Sequence, residues 1–166
     1  MRKFITLALA GMLVLAIAGP VSAKSQGATI VDTAIAVNAE TGEFDHLIQA
    51  VVRADLVATL DGKRQFTVFA PTDAAFEDLF GQLGVGGVGD IPKATLRAVL
   101  LYHVAPGERF AADVISSTRI RTVSKGFLFP SLAGGSVYIN DARVLAADVD
   151  ASNGVIHVID KVLLPS

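Results

Sequence analysis

The chain has 166 residues, of which 52% are hydrophobic, and a formal charge of −2 at pH 7. This length suits a single domain with one core of its own. The mild acidity, with basic residues scattered along the chain, argues against nucleic acid and an anionic membrane surface as partners. Because the chain contains no cysteine, disulfides, thiol catalysis and thiolate metal sites are excluded.

The first residues have the pattern of a secretory signal peptide. Basic Arg2 and Lys3 precede an uncharged apolar run at 4–18, and the small residues at 21–23 match a cleavage site. As a helix the apolar run would span only about 22 Å, less than the roughly 30 Å of a bilayer core. A cleaved leader is therefore favoured over a membrane anchor.

This leader determines the predicted domain organisation. We predict a signal peptide at residues 1–23, a loose lead-in at 24–28 and a single domain at 29–166. The protein is expected to be secreted, to the extracellular space, the cell surface or a periplasm. No membrane insertion is expected after the leader is cleaved.

Helical spacing dominates the first half of the mature chain. Apolar residues recur at i, i+3, i+4, i+7 and i+8 from Phe44, which is typical of a helix with one buried face. Thr72 is placed to cap a helix, and Pro92 to open another. Glycines recur between Gly81 and Gly89, but the lysine and hydroxyl residue of a phosphate-binding loop do not follow, so a flexible loop is predicted. The elements predicted here are helical segments at 30–35 and 44–57, a strand at 66–69, a helix at 73–80 and a helix at 92–103.

The second half of the chain has the two-residue period of strands. Alternation from Arg119 to Lys125 predicts a strand with a solvated basic face, after a short amphipathic stretch at 110–115. Residues 136–145 predict a hairpin that turns at Asn140-Asp141, and 155–159 form a β-branched strand. Helices followed by strands indicate an α+β fold around a mostly antiparallel core.

Three segments in this order resemble the fasciclin domain family, as found in periostin-type adhesion proteins. Residues 66–76 (FTVFAPTDAAF) are similar to its first signature block, and 100–107 (LLYHVAPG) to its Tyr-His segment. Residues 151–165 (ASNGVIHVIDKVLLP) are similar to its closing block. The likeness extends over about residues 29 to 165, nearly all of the mature chain.

The resemblance implies both a fold and a function. The implied fold is a β-wedge or sandwich of about seven strands with several packed helices. The implied function is adhesion to a cell-surface or matrix protein or polysaccharide, or self-association. Two family features tied to attachment correspond to Tyr102-His103 and to Asp148-Val149, where valine replaces the isoleucine of the family's Asp-Ile pair.

Catalytic and metal-binding alternatives have weaker support in the sequence. His103 and His157 have the chemistry of a general base or a metal ligand, but no ligand spacing joins them, so hydrogen-bonded core histidines are favoured. The segment from Asp148 to Gly154 resembles the front of a calcium loop, yet it lacks the glycine and glutamate that such a loop requires at its sixth and twelfth positions. The sequence therefore predicts no enzyme, cofactor or metal site. A carrier of a small apolar ligand is the main alternative function, and an exported hydrolase is a weaker one.

Overall fold

The computed structural model describes residues 27–165. The predicted signal peptide, residues 24–26 of the lead-in and Ser166 of the predicted domain lie outside this range. The helices are α1 (Ile30–Thr41), α2 (Asp45–Arg53), α3 (Val57–Leu60), α4 (Asp73–Leu83), α5 (Lys93–Tyr102) and α6 (Ala111–Ser116), with a 3₁₀ turn at Val88–Asp90. The strands are β1 (Phe66–Pro71), β2 (Val104–Pro106), β3 (Ile120–Arg121), β4 (Phe127–Leu128), β5 (Pro130–Ala133), β6 (Ser136–Ile139), β7 (Ala142–Ala151) and β8 (Gly154–Ile159).

Six of these strands form one sheet in the order β2-β1-β8-β7-β6-β5, and β3 and β4 form a second, two-stranded sheet. β1 and β8 run parallel, with Phe66 opposite Gly154 and Pro71 opposite Ile159. The other pairs are antiparallel. The α+β class predicted from the sequence is therefore confirmed, with eight strands in residues 27–165 where about seven were expected.

Strands β1 and β8 separate two hydrophobic cores. Phe66, Val68 and Ala70 of β1 contribute to the first core, together with residues of α1 to α5. Phe69, which alternates with them, contributes to the second core, together with Tyr102 and Leu163. Because successive side chains of a strand point to opposite faces, a strand buried on both faces is apolar throughout. This explains why 66–70 and 155–159 are apolar except for Thr67 and His157, which are themselves buried.

Local capping sets the limits of the longer helices. Thr29 caps α1 through a capping box with Asp32. Thr72 caps α4, as predicted, since its hydroxyl accepts the N–H of Ala75 at 3.3 Å. α4 ends at Leu83, and Gly84, which follows it, has a left-handed φ of 68°.

Three sequence predictions about element limits are wrong in part. The helix predicted at 44–57 ends at Arg53, because the chain turns at Asp55 with a φ of 56°. The strand predicted at 119–125 is limited to two residues, since Thr122 N–H bonds to Gly126 O and closes a turn. The loop predicted at 81–89 is partly ordered, because Gly81 lies inside α4 and Val88 is buried in the 3₁₀ turn. None of the helices in residues 27–165 is both long enough and apolar enough to cross a membrane.

Candidate functional site

Tyr102 and His103 lie buried at the end of α5, with 4% and 2% of their surfaces exposed. The Tyr102 hydroxyl donates to Phe127 O at 2.8 Å. His103 donates from Nδ1 to Val99 O at 2.7 Å, and its Nε2 accepts the N–H of Leu163 at 2.8 Å. Because Val99 O can only accept and the Leu163 N–H can only donate, these partners define the neutral tautomer.

Burial also keeps His103 uncharged. Removal from water lowers the pKa of His103 to about 4, against the weaker opposing effect of its bond to the Val99 carbonyl. Both ring nitrogens are occupied, so neither offers a lone pair to a metal or a proton to a substrate. The expectation of a hydrogen-bonded core histidine is confirmed for His103.

His157, on β8, is also a buried histidine with both ring nitrogens hydrogen-bonded, but in the other neutral tautomer. Its Nε2 donates to Arg109 O at 2.8 Å, and its Nδ1 accepts the N–H of Asp148 at 3.2 Å. Burial lowers the pKa of His157, while the bond to Arg109 O and the charge of Asp148 oppose the shift. The ring stacks on Phe69, with 5.5 Å between centroids. His157 is likewise a core histidine.

Asp148 and Val149 occupy an irregular part of β7. Asp148 is exposed, has a φ of 60° and lies where the register of β7 against β8 shifts. Its Oδ1 accepts the N–H of Ala111 at 2.7 Å, at the first residue of α6. Val149 is half-buried and packs against the first core. Of this pair, Asp148 therefore contributes the exposed side chain.

The structure connects the two pairs of residues through the centre of the sheet. Phe69 N–H donates to His103 O at 2.9 Å, and the Phe69 ring stacks on His157. His157 in turn accepts the N–H of Asp148. A continuous chain of contacts thus runs from the Tyr-His segment to the bulge of β7, and it joins the three sequence blocks.

Exposed apolar side chains lie on or next to β5 and α6, whose first N–H bonds to Asp148. α6 and β5 are neighbours in the fold, and β5 is the last strand of the six-stranded sheet. Four large side chains on or next to these elements are 39–63% exposed: Phe110, Ile115, Phe129 and Leu132. We call them the α6–β5 surface. Sequence reasoning missed it, since the amphipathic pattern at 110–115 does not show which elements leave α6 uncovered.

Comparison with known proteins now assigns the family. The family model of the fasciclin domain matches residues 42–165. The chain belongs to the fasciclin family. The Synechocystis protein sll1483 is 43% identical over 137 residues, which cover 80% of this chain and 73% of that protein. Human periostin is 29% identical over 117 residues, which cover 70% of this chain but 14% of periostin.

A solved structure supports the same assignment at the level of fold. The domain pair from the insect cell adhesion molecule fasciclin I matches this fasciclin domain with a TM-score of 0.68 and 18% identity. The match covers 83% of this chain and 51% of that one. The family and the fold inferred from the three sequence blocks are both confirmed.

The acidic and histidine side chains of this fasciclin domain form no metal centre in the part of the chain that the structure describes. Across residues 27–165, no group of three or more such side chains lies close enough together to hold a metal ion. The segment from Asp148 to Gly154 instead forms the end of β7 and a tight turn into β8. The candidate site therefore combines two buried, hydrogen-bonded histidines, His103 and His157, with the exposed α6–β5 surface.

Proposed function

We propose that this fasciclin domain is a secreted, non-enzymatic adhesion module that binds a protein on a cell surface or in an extracellular matrix. Membership of a family whose members are linked to adhesion carries this proposal. The leader-like residues 1–23 support export. The occupied nitrogens of His103 and His157 support the absence of turnover, since neither ring is available to act as a base.

The proposed contact site is the α6–β5 surface together with Asp148. Apolar patches on an otherwise polar surface mark interaction sites, and the exposed leucine and phenylalanines here suit an apolar patch on a protein partner. Asp148 lies at its border because its carboxylate binds the first N–H of α6. Tyr102 and His103 then act indirectly, by supporting the sheet beneath the surface, since both are buried.

Binding of the mature protein to cells and to matrix proteins tests this proposal. The variants Leu132→Lys and Ile115→Lys place a charge in the α6–β5 surface, and Leu83→Lys makes the same change at the exposed end of α4. We expect at least about ten-fold weaker binding for the first two variants and little change for Leu83→Lys. Native circular dichroism of all three variants is the control for folding.

The alternative partners are outcomes of the same experiment. The wild type could instead bind a purified polysaccharide, or self-associate in analytical ultracentrifugation. If Leu132→Lys abolished either interaction, that polysaccharide or a second copy of the chain would be the partner of the α6–β5 surface in place of a protein. Equal binding by the wild type, Leu132→Lys and Ile115→Lys would refute the α6–β5 surface. Absence of any binding or self-association by the wild type would refute the adhesion function itself.

A further inference from the structure

A pocket lies between α1 and α2, above β1 and β8, and has a volume of about 160 Å³. All of its lining residues are aliphatic. On the two helices they include Val31, Ala34, Ile35, Ile48, Val51 and Val52. We call it the α1–α2 pocket. The glycine-rich segment at 81–89 does not line it.

Such a pocket suits hydrocarbon and not water. An apolar lining offers an enclosed water molecule no hydrogen-bond partner, and engineered apolar cavities of about 150 Å³ stay dry and bind benzene. Protein interiors are close-packed, and a void of this size lowers stability. An apolar pocket of this size beside the first core is therefore a candidate binding site.

We propose that the α1–α2 pocket binds the end of one unbranched alkyl chain, whose polar head remains in water. The lining residues extend from Ile30 to Ile35 on α1 and from Leu47 to Val52 on α2. These five residue steps span about 8 Å along each helix axis, which favours an elongated group. A polar head finds no partner inside. At the mouth, Ile35 and Val52 are 49% and 58% exposed and continue the apolar surface outward along an emerging chain.

Titration with neutral n-alkanols tests this inference on the wild-type mature protein. From butanol to octanol, we expect affinity to rise about four-fold per added methylene until the pocket is full, and then to level off. In methyl NMR spectra, the shifts should be confined to pocket residues such as Ile35 and Val51. Leu128 and Ile139 in the second core should not shift. Non-saturable binding, or equal shifts in both cores, would overturn the inference.

A variant that fills the pocket provides a second test of the proposed alkyl-chain site. Ala34→Leu adds bulk inside it, whereas Ala36→Leu makes the same change on the exposed side of α1. We expect at least about ten-fold weaker octanol binding for Ala34→Leu, with an equal or higher thermal midpoint because a void is filled, and unchanged binding for Ala36→Leu. Octanol binding by Ala34→Leu at wild-type affinity would contradict the site. Leu132→Lys should bind octanol normally, so this test is independent of the proposed adhesion surface.

Discussion

Asn153 is buried at the turn between β7 and β8, and its side chain bonds to three backbone groups in two other segments. Its Oδ1 accepts the N–H of Ile30 at 2.8 Å, and its Nδ2 donates to Leu60 O at 2.6 Å and to Gly62 O at 2.8 Å. The start of α1, the end of α3 and the last hairpin are thus joined through one amide. An Asn-Gly pair predicts a turn, but these partners depend on tertiary structure.

Truncation of this amide should be costly. Asn153→Ala leaves one buried donor and two acceptors without their partner, so we expect a loss of about 3 kcal/mol in the free energy of unfolding. Urea denaturation measures it. Ser152→Ala, next to it in the same turn, is the control and should cost less than about 0.5 kcal/mol, since the bond from Ser152 to Ala28 O uses the backbone N–H. Similar losses for both variants would contradict this role of Asn153.

The two core histidines predict a stability that declines with acid. The pKa of His103 is about 4 in the folded protein and 6.5 ordinarily, because burial disfavours the charged ring. His103 therefore binds a proton more tightly in the unfolded chain than in the folded protein. The contribution of neutral His103 to the free energy of unfolding is complete above pH 6.5 and is lost as the pH falls towards 4. For His103 alone the full loss amounts to about 3 kcal/mol, and His157 adds to it in the same direction.

Urea denaturation at several pH values between about 4.5 and 7.5 measures this decline. NMR titration of the ring protons separates the histidines from the carboxylates, which also titrate at the acidic end. A pKa at or above 6.5 for His103 in the folded protein would contradict the prediction, whatever the overall slope.

At the scale of elements, the parallel pairing of β1 and β8 depends on Gly154. Its φ is 152°, and a Cβ placed there would lie 1.9 Å from Phe66 O. Phe66 N–H also bonds to Asn153 O at 3.0 Å, so the backbone of β1 cannot move away without loss of that bond. The tight approach at Gly154 fixes the register of β1 against β8.

Gly154→Ala should therefore prevent normal folding. We expect loss of the cooperative unfolding transition and of native circular dichroism, because the clash is with backbone and not with a flexible side chain. Gly87→Ala is the matched control, since a Cβ there meets nothing within 4 Å and its φ of 169° is extended. A Gly154→Ala protein with wild-type stability would show that the strands can separate at this point.

Elements with a strong local signal were predictable from the sequence. The strand at 66–69, the capped helix that follows it and the hairpin turning at Asn140-Asp141 all occur in the structure. The helix predicted at 44–57 was wrong beyond Arg53, where the chain turns. This turn is stabilised by a residue of α5, since Arg97 donates to Ala54 O at 2.8 Å. Periodicity carries no information about such long-range partners.

The candidate site was predictable to a smaller extent. The residues matched by family likeness lie along one chain of contacts, and a buried, hydrogen-bonded His103 was expected. The burial of Tyr102 was not evident, because it lies at a helix end that continues into a strand. The bond from Asp148 to Ala111 joins residues 37 positions apart. The α1–α2 pocket depends on how two helices pack over a sheet, so neither helix alone predicts it.

At the scale of the whole molecule, β1 and β8 are shared by two cores. Val68 and Ile156 face the first core, and Phe69 and Ile159 face the second. The hydrogen-bonded strands thus transmit any loss of packing on one side to the other. Two cores built on the same strands should unfold as one cooperative unit, since neither side retains a sheet without the other.

Cavity-forming variants in each core test this cooperativity. Leu56 in the first core and Ile139 in the second are each fully buried, so Leu56→Ala and Ile139→Ala should each lower the free energy of unfolding by about 3 kcal/mol. Both variants should lower the midpoint of one shared unfolding transition. Far-ultraviolet circular dichroism and tyrosine fluorescence should report the same midpoint, although the fluorescence includes Tyr102 in the second core. Leu83→Ala, at an exposed site, should cost less than about 1 kcal/mol. If the two cores share β1 and β8, neither side can unfold alone. A shift of the fluorescence transition by Ile139→Ala, with the helical signal at its original midpoint, would therefore show that the two cores are independent units.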